Sequence, residues 1–139
     1  MKQESSSIQI RTAGPKLYEF TEQALRWLRG TGLRQGLLTV FVRHTSASLV
    51  IQENADPDVQ RDLVAFYKRL VPDGDSLFIH TVEGPDDMPA HVKAALTQTS
   101  ISIPVVDGLP VLGTWQGIYL FEHRRAAHTR TVVLHMIGE

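Results

Sequence analysis

The last forty residues restrict the fold most. "SISIPVV" over 100–106, "GIYLFEH" over 117–123 and "TRTVVLHMI" over 129–137 are rich in β-branched and aromatic residues, with the turn-forming "DGLP" after the first. Upstream, "SSSIQIRT" alternates enough for an opening strand, and "GLLTVFVRH" and "SLVIQEN" read as two more, turned by "TSA". Leu38, Val40, Val42 and His44 share one face of "GLLTVFVRH", with Leu37, Thr39, Phe41 and Arg43 on the other. The pattern predicts a largely buried strand that delivers His44 at its end.

Helical periodicity interrupts these strands in three places. In "KLYEFTEQALRWLRGTG", Leu17, Phe20, Ala24, Leu25 and Leu28 recur at helical spacing, and Gly30 or Gly32 is placed to end the helix. In "NADPDVQRDLVAFYKRLVP", Asp56 fits the N-cap and Pro57 the first turn, with Leu63, Phe66, Tyr67 and Leu70 as an apolar stripe. "DDMPAHVKAALTQT" reads as a short third helix with an acidic cap and a first-turn proline. The expectation is one α+β domain over residues 1–139, a mixed, largely antiparallel sheet partly covered by helices.

Charge and residue usage narrow the chemistry. Lys and Arg number 14 against 15 Asp and Glu, so no global field draws the chain to nucleic acid or an acidic membrane. The absence of cysteine removes thiolate ligands, disulfides and cysteine nucleophiles, and accords with a cytoplasmic setting. Six histidines become the main candidate ligands and acid/base groups. No apolar run approaches the roughly 20 residues that span a bilayer.

The densest polar segment is "IHTVEGPDDMPAHVKAAL", residues 79–96. His80 and His91 are too far apart for an i,i+4 metal motif, so they meet only if the Gly84–Pro85 turn folds one back toward the other. Taken locally, the pattern favours a capped helix, with Asp86 and Asp87 as cap and dipole residues. Elsewhere, His44 is followed by "TSAS", whose Thr45, Ser46 and Ser48 hydroxyls and backbone N–H groups in a turn suit phosphate oxygens. Asn54 lies beside a helix N-terminus, where anions are favoured, and Glu53 beside it offers weaker support. Trp115 and Gln116 precede a strand whose alternation points Glu122 and His123 to opposite faces. Arg124 is a candidate phosphate partner within the basic run "HRRAAHTR", while His135 reads as a packed strand histidine.

Together "RHTSASLVIQENADPDV", "VEGPDDMPAHVKAAL" and "GTWQGIYLFEHR" resemble the signature motifs of the YjbQ family, small proteins described as secondary thiamine-phosphate synthases. The resemblance runs over essentially the whole chain. It implies a compact α+β subunit that forms a homotrimer, with polar motif residues near a subunit interface. It also implies an ability, possible as a side activity, to join a hydroxymethylpyrimidine diphosphate to a thiazole phosphate with release of pyrophosphate.

On that basis the expected site draws catalytic roles from His44, Asn54, Asp87 and Gln116. Thr45, Ser46, Ser48 and Arg124 are expected to bind the anion, and His80, His91 and His123 a divalent ion, zinc or magnesium. The substrate is expected to be a small phosphorylated metabolite. Two alternatives use the same residues. One is a zinc-dependent hydrolase of a small substrate, with Glu83 or Asp87 activating water; the other is a non-catalytic trimer that binds a metabolite.

Overall fold

The structure is a computed structural model that describes all 139 residues, Met1–Glu139. Its strands form two sheets, and every strand pair is antiparallel. The larger sheet has the order β1 (Lys2–Ala13), β8 (Ala127–Gly138), β3 (Gly36–Val42), β5 (Ser100–Val106) and β6 (Leu109–Pro110). The smaller has β2 (Lys16–Glu19), β7 (Gln116–Glu122) and β4 (Ala47–Glu53). A bridge between Leu49 and Gln98 links β4 to the chain entering β5, so the two sheets curl together along that edge.

The core lies between the sheets. Leu38, Val40 and Val42 of β3, Val132, Leu134 and Met136 of β8, and Ile118 and Leu120 of β7 interdigitate there. Helix α1 (Thr21–Thr31) adds Phe20, Ala24 and Leu28 at one end. Gly32, with φ +72, ends α1 in the left-handed conformation that glycine adopts without a Cβ penalty. Leu17 does not belong to that helix. It lies in β2, because "KLYE" pairs with β7 before the helix begins, and its side chain packs with Tyr119 and Phe121 on the opposite face of the smaller sheet.

Helix α2 (Pro57–Leu70) lies on that opposite face. Asp56 caps it, its carboxylate accepting from the Asp58 N–H at 2.9 Å, and Leu63, Val64 and Tyr67 pack on Phe121 and its neighbours. The anticipated stripe is only half used, since Phe66 and Leu70 remain exposed. β3 also departs from expectation. Its inner face is fully buried, but Leu37 and Phe41 lie open to solvent because no helix covers the outer face of the larger sheet.

Candidate functional site

Residues 71–86 form an irregular segment leading into helix α3 (Asp87–Leu96). Gly84, at φ +104, takes a backbone conformation that suits glycine, and a turn closes with the Gly84 N–H on the Thr81 carbonyl at 3.2 Å. This turn brings His80 back to the first turn of α3. His80 Nε2 lies 2.9 Å from Asp87 Oδ2, and His91 Nε2 lies 3.1 Å from the same oxygen. One donor atom from each residue falls within a 4.8 Å cluster.

The two aspartates do not cap α3. Asp86 stands at the cap position with helical backbone angles and makes no capping bond. Its Oδ2 instead accepts from Arg124 Nε at 3.1 Å and the Arg125 N–H at 2.9 Å. Asp87, 1% exposed, takes Arg124 Nη1 on Oδ1 at 2.8 Å, leaving Oδ2 to the histidines. Burial raises the pKa of Asp87. Bonds from the histidines and the charges of His91 and Arg124 outweigh it, so the carboxyl titrates below its ordinary range.

The tautomer of His91 follows from its other nitrogen. His91 Nδ1 is 2.8 Å from the Thr45 carbonyl, which can only accept, so Nδ1 carries the hydrogen. In neutral imidazole, Nε2 is then a bare lone pair directed at a carboxylate oxygen. Two such groups repel unless a cation stands between them, either a proton on the ring or a metal ion. Tetrahedral zinc, with ligand bonds of about 2.0–2.1 Å, separates its donors by roughly 3.3 Å. A spreading of a few tenths of an ångström therefore suits the two measured N···O separations to a metal.

The structure separates the remaining candidates. His44 lies beyond β3, where Nε2 accepts the Thr131 N–H at 2.8 Å and Nδ1 faces Arg130. Burial, followed by the Arg130 charge, lowers its pKa. With its lone pair committed to backbone, His44 is a strand-joining group here and does not reach the cluster as an acid or base.

His123 also stays out of the cluster, so the expected three-histidine set becomes two histidines and Asp87. Its Nε2 bonds Ser48 Oγ at 2.9 Å, and its ring lies 4.4 Å from that of Phe121. Burial depresses its pKa to about 3. As alternation required, Glu122 faces the other way, into an ion pair with Arg130.

The expected anion cradle is occupied by internal bonds. Ser46 Oγ accepts from Arg130, Ser48 Oγ is held by His123 and Thr97, and Arg124 is committed to Asp86, Asp87 and the Glu83 carbonyl. Thr45 contributes its carbonyl to His91, with its side chain on an exposed residue. Asn54 and Gln116 sit at the far end of the β4–β7 pair. Six residues of strand, roughly 20 Å, separate the Glu53–Gln116 end from the Ala47–Glu122 end. Gln116 Oε1 accepts the Gly113 N–H there.

Sequence reasoning missed the roles of Arg124 and Thr45 in fixing the ligands, and a cavity beside His123 that includes Lys68, Lys93 and Arg125. The adjacent Asp86 and Asp87 at the start of α3 were the available signal, since one carboxylate suffices for a cap and a second is free for another partner. His135 bonds Gln3 across the strands, and His128 bonds the Ala126 carbonyl.

Comparisons with known proteins agree with this fold. The family model for UPF0047 protein YjbQ-like matches residues 6–139. A UPF0047 protein of Synechocystis is 50% identical over 138 residues, covering 99% of this chain and 94% of the relative. Escherichia coli YjbQ is 45% identical over 104 residues, 75% of each chain. Among solved structures, a YjbQ/UPF0047 family protein of Clostridium acetobutylicum superposes with a TM-score of 0.87 at 34% identity, over 95% of this chain and 99% of that one. A protein of Aeropyrum pernix gives 0.88 at 32% identity, over 98% and 99%. With a mixed α+β architecture, antiparallel curled sheets and matches across almost its whole length, the chain belongs to the YjbQ (UPF0047) family.

Proposed function

We propose that this chain is a divalent-metal-dependent enzyme acting on a small phosphorylated metabolite, with His80, Asp87 and His91 as metal ligands. The observation that carries this reading is the single buried oxygen, Asp87 Oδ2, facing two imidazole nitrogens, one with its lone pair exposed by the Thr45 bond. Two nitrogens and one carboxylate suit zinc better than magnesium, which prefers an all-oxygen shell. When bound, such an ion supplies positive charge to a phosphate oxygen or acidifies a water. Arg124 holds the carboxylate in place and the Thr45 carbonyl fixes the His91 ring, the outer-shell support that metal ligands need.

The reaction proposed first is the one the motifs imply, joining a hydroxymethylpyrimidine diphosphate to a thiazole phosphate with loss of pyrophosphate. Neutralising the leaving diphosphate matters more in that chemistry than a protein nucleophile does. A second reading, metal-dependent hydrolysis, is favoured by one feature. Three protein donors on a half-exposed face, with the His80 side chain 46% accessible, leave a position free for water or substrate. A cytoplasmic setting, which the cysteine-free sequence accommodates, belongs to the same proposal.

The test is direct. Purified protein should retain one zinc per chain by elemental analysis, and His91→Ala and Asp87→Asn should lose it. The zinc form should release pyrophosphate from the paired substrates, or hydrolyse a simple phosphate ester if the second reading holds. Metal-free protein that takes up no zinc on titration overturns both.

The homotrimer belongs to this proposal too. Leu77, Ile79 and Val82 are 84%, 97% and 92% exposed and flank His80, and Leu37, Phe41 and Ile137 are exposed on the larger sheet. Apolar surface of this kind is characteristic of an interface, and a copy covering the 77–82 segment would set the metal ligands beside the subunit boundary. Light scattering should give three times the chain mass, reduced by Ile79→Asp; a monomeric wild type removes the trimer.

A further inference from the structure

Helix α3 carries a lysine on the face it turns inward. Lys93 follows Ala90 by three residues, which sets both on that face, and it is only 6% exposed. Burial lowers its pKa, and the charges of Asp73 and Asp86 oppose that shift. Both carboxylates are spent on arginines, Asp86 on Arg124 and the Arg125 N–H, Asp73 on Arg125 at 3.6 Å. The Lys93 side chain is left without a salt bridge or a hydrogen bond, and an ammonium taken out of water without a partner is costly. Only one buried side-chain polar atom has neither a partner nor accessible surface, and it is His123 Nδ1. Lys93 Nζ, unpartnered as well, therefore keeps some surface, and it opens onto a cavity of about 350 Å³ whose lining includes Lys93.

The cavity lies between α2, α3 and the end of β7, and shares no residue with the His80, Asp87 and His91 cluster. Its lining is of two kinds. Val64 and Tyr67 of α2 and Phe121 of β7 are aliphatic or aromatic and continue the cluster that packs α2 on the smaller sheet. Lys68, Lys93 and Arg125 are cationic, against one carboxylate, Asp73. Asp73 answers Arg125, so the charges of Lys68 and Lys93 are left unanswered. An inorganic anion would meet that charge and leave the apolar lining against water. A ligand with both an anionic group and a carbon skeleton satisfies the two together.

We propose that this cavity binds an amphipathic organic anion, one carboxylate or phosphate on a compact carbon skeleton, with the anionic group at Lys93 and Lys68 and the carbon against Val64, Tyr67 and Phe121. Lys93 is the centre of the site, because it is the cation that the fold buries and does not pair. Carboxylates and phosphate monoesters share this chemistry, so the test carries one of each.

The experiment is calorimetric titration of the intact protein with benzoate and with phenyl phosphate, each against its small counterpart, acetate or inorganic phosphate. Benzylamine serves as the cation of the same skeleton. Benzoate or phenyl phosphate should saturate, about tenfold or more tighter than its counterpart, and the tighter of the two identifies the anionic group. Benzylamine should not bind. Lys93→Met keeps the reach of the side chain and removes its charge, and should weaken the bound anion by at least about tenfold, as a lost charge-assisted hydrogen bond does. His91→Ala, altered only in the metal cluster, should bind the anion as the wild type does. Without ligand, Lys93→Met should melt no lower than the wild type, because it exchanges an unanswered buried charge for apolar volume. Absence of saturable binding for both aryl anions overturns the proposal, as does equal binding of benzylamine, an affinity unchanged in Lys93→Met, or its loss in His91→Ala. A lower melting temperature for Lys93→Met would show that the fold itself answers the charge, with the same consequence.

Discussion

At the scale of single residues, two histidines show how environment decides role. His123 is buried with its pKa lowered to about 3, desolvation being the main cause, with Lys93 and Arg130 acting in the same direction and Glu122 opposing them. In the unfolded chain it titrates near 6.5, so below that pH the unfolded state binds the extra proton. Its contribution to stability is therefore complete above about pH 6.5 and declines as pH falls toward 3, at a slope approaching ~1.4 kcal/mol per pH unit. His44, also depressed, adds to the same trend. Denaturant midpoints measured from pH 7 to pH 4 should show His123→Gln losing less stability over that interval than the wild type. His91 differs because its lone pair meets a carboxylate. Arg124→Gln would release Asp87 Oδ1 from its anchor without touching any ligand atom. The expected outcome is zinc affinity weaker by about 10–100-fold, measured by competition with a chromogenic chelator.

At the scale of elements, the strands follow from composition and the helices from periodicity, but their partners do not. β3 and β8 meet at Gly36 and Gly138, which pair directly. A Cβ on Gly36 would sit 2.0 Å from the Ile137 carbonyl oxygen, and one on Gly138 would sit 1.9 Å from that of Gln35. Gly138→Ala should therefore part these strand ends and destabilise the fold by about 1–3 kcal/mol in chemical denaturation. The sequence showed "GLL" as a strand start and could not show that a second glycine, a hundred residues on, must face it. The same limit explains the site. His80, Asp87 and His91 were legible as a group because a Gly–Pro turn lies between them in sequence. His44 and His123 looked equally suitable, and only the register Ala47 to Glu122 and the bond from Thr131 to His44 show where their nitrogens are spent. Leu17 was misread because its apolar spacing continues that of α1, while pairing with β7 holds it in a strand.

At the scale of the whole molecule, the two sheets are joined by polar as well as apolar contacts. Glu122 of the smaller sheet is fully buried and accepts from Arg130 and Thr12 of the larger, its Oε1 lying 2.7 Å from Arg130 Nε. Burial raises the Glu122 pKa, but bonds from Arg130 and Thr12 overcome this and hold the carboxyl below its usual range. Arg130 continues the network to Ser46, and His44 accepts the Thr131 N–H, so the chain around "RHTSAS" is tied to both sheets at once. Removing one member is far worse than removing both. Glu122→Gln would strand the Arg130 guanidinium in the core, at a cost of about 3–5 kcal/mol, whereas a Glu122→Leu, Arg130→Met pair replaces charge by apolar volume and should recover much of that loss. Thermal denaturation of the single and paired variants checks this, with a paired variant no more stable than Glu122→Gln as the contrary result. The paired variant has a second use. The ion pair does not contact His80, Asp87 or His91, but Glu122 also accepts the Arg124 N–H and Arg130 holds Ser46 beside Thr45, so zinc affinity should weaken in it to the extent that this network sets the groups proposed to hold the metal.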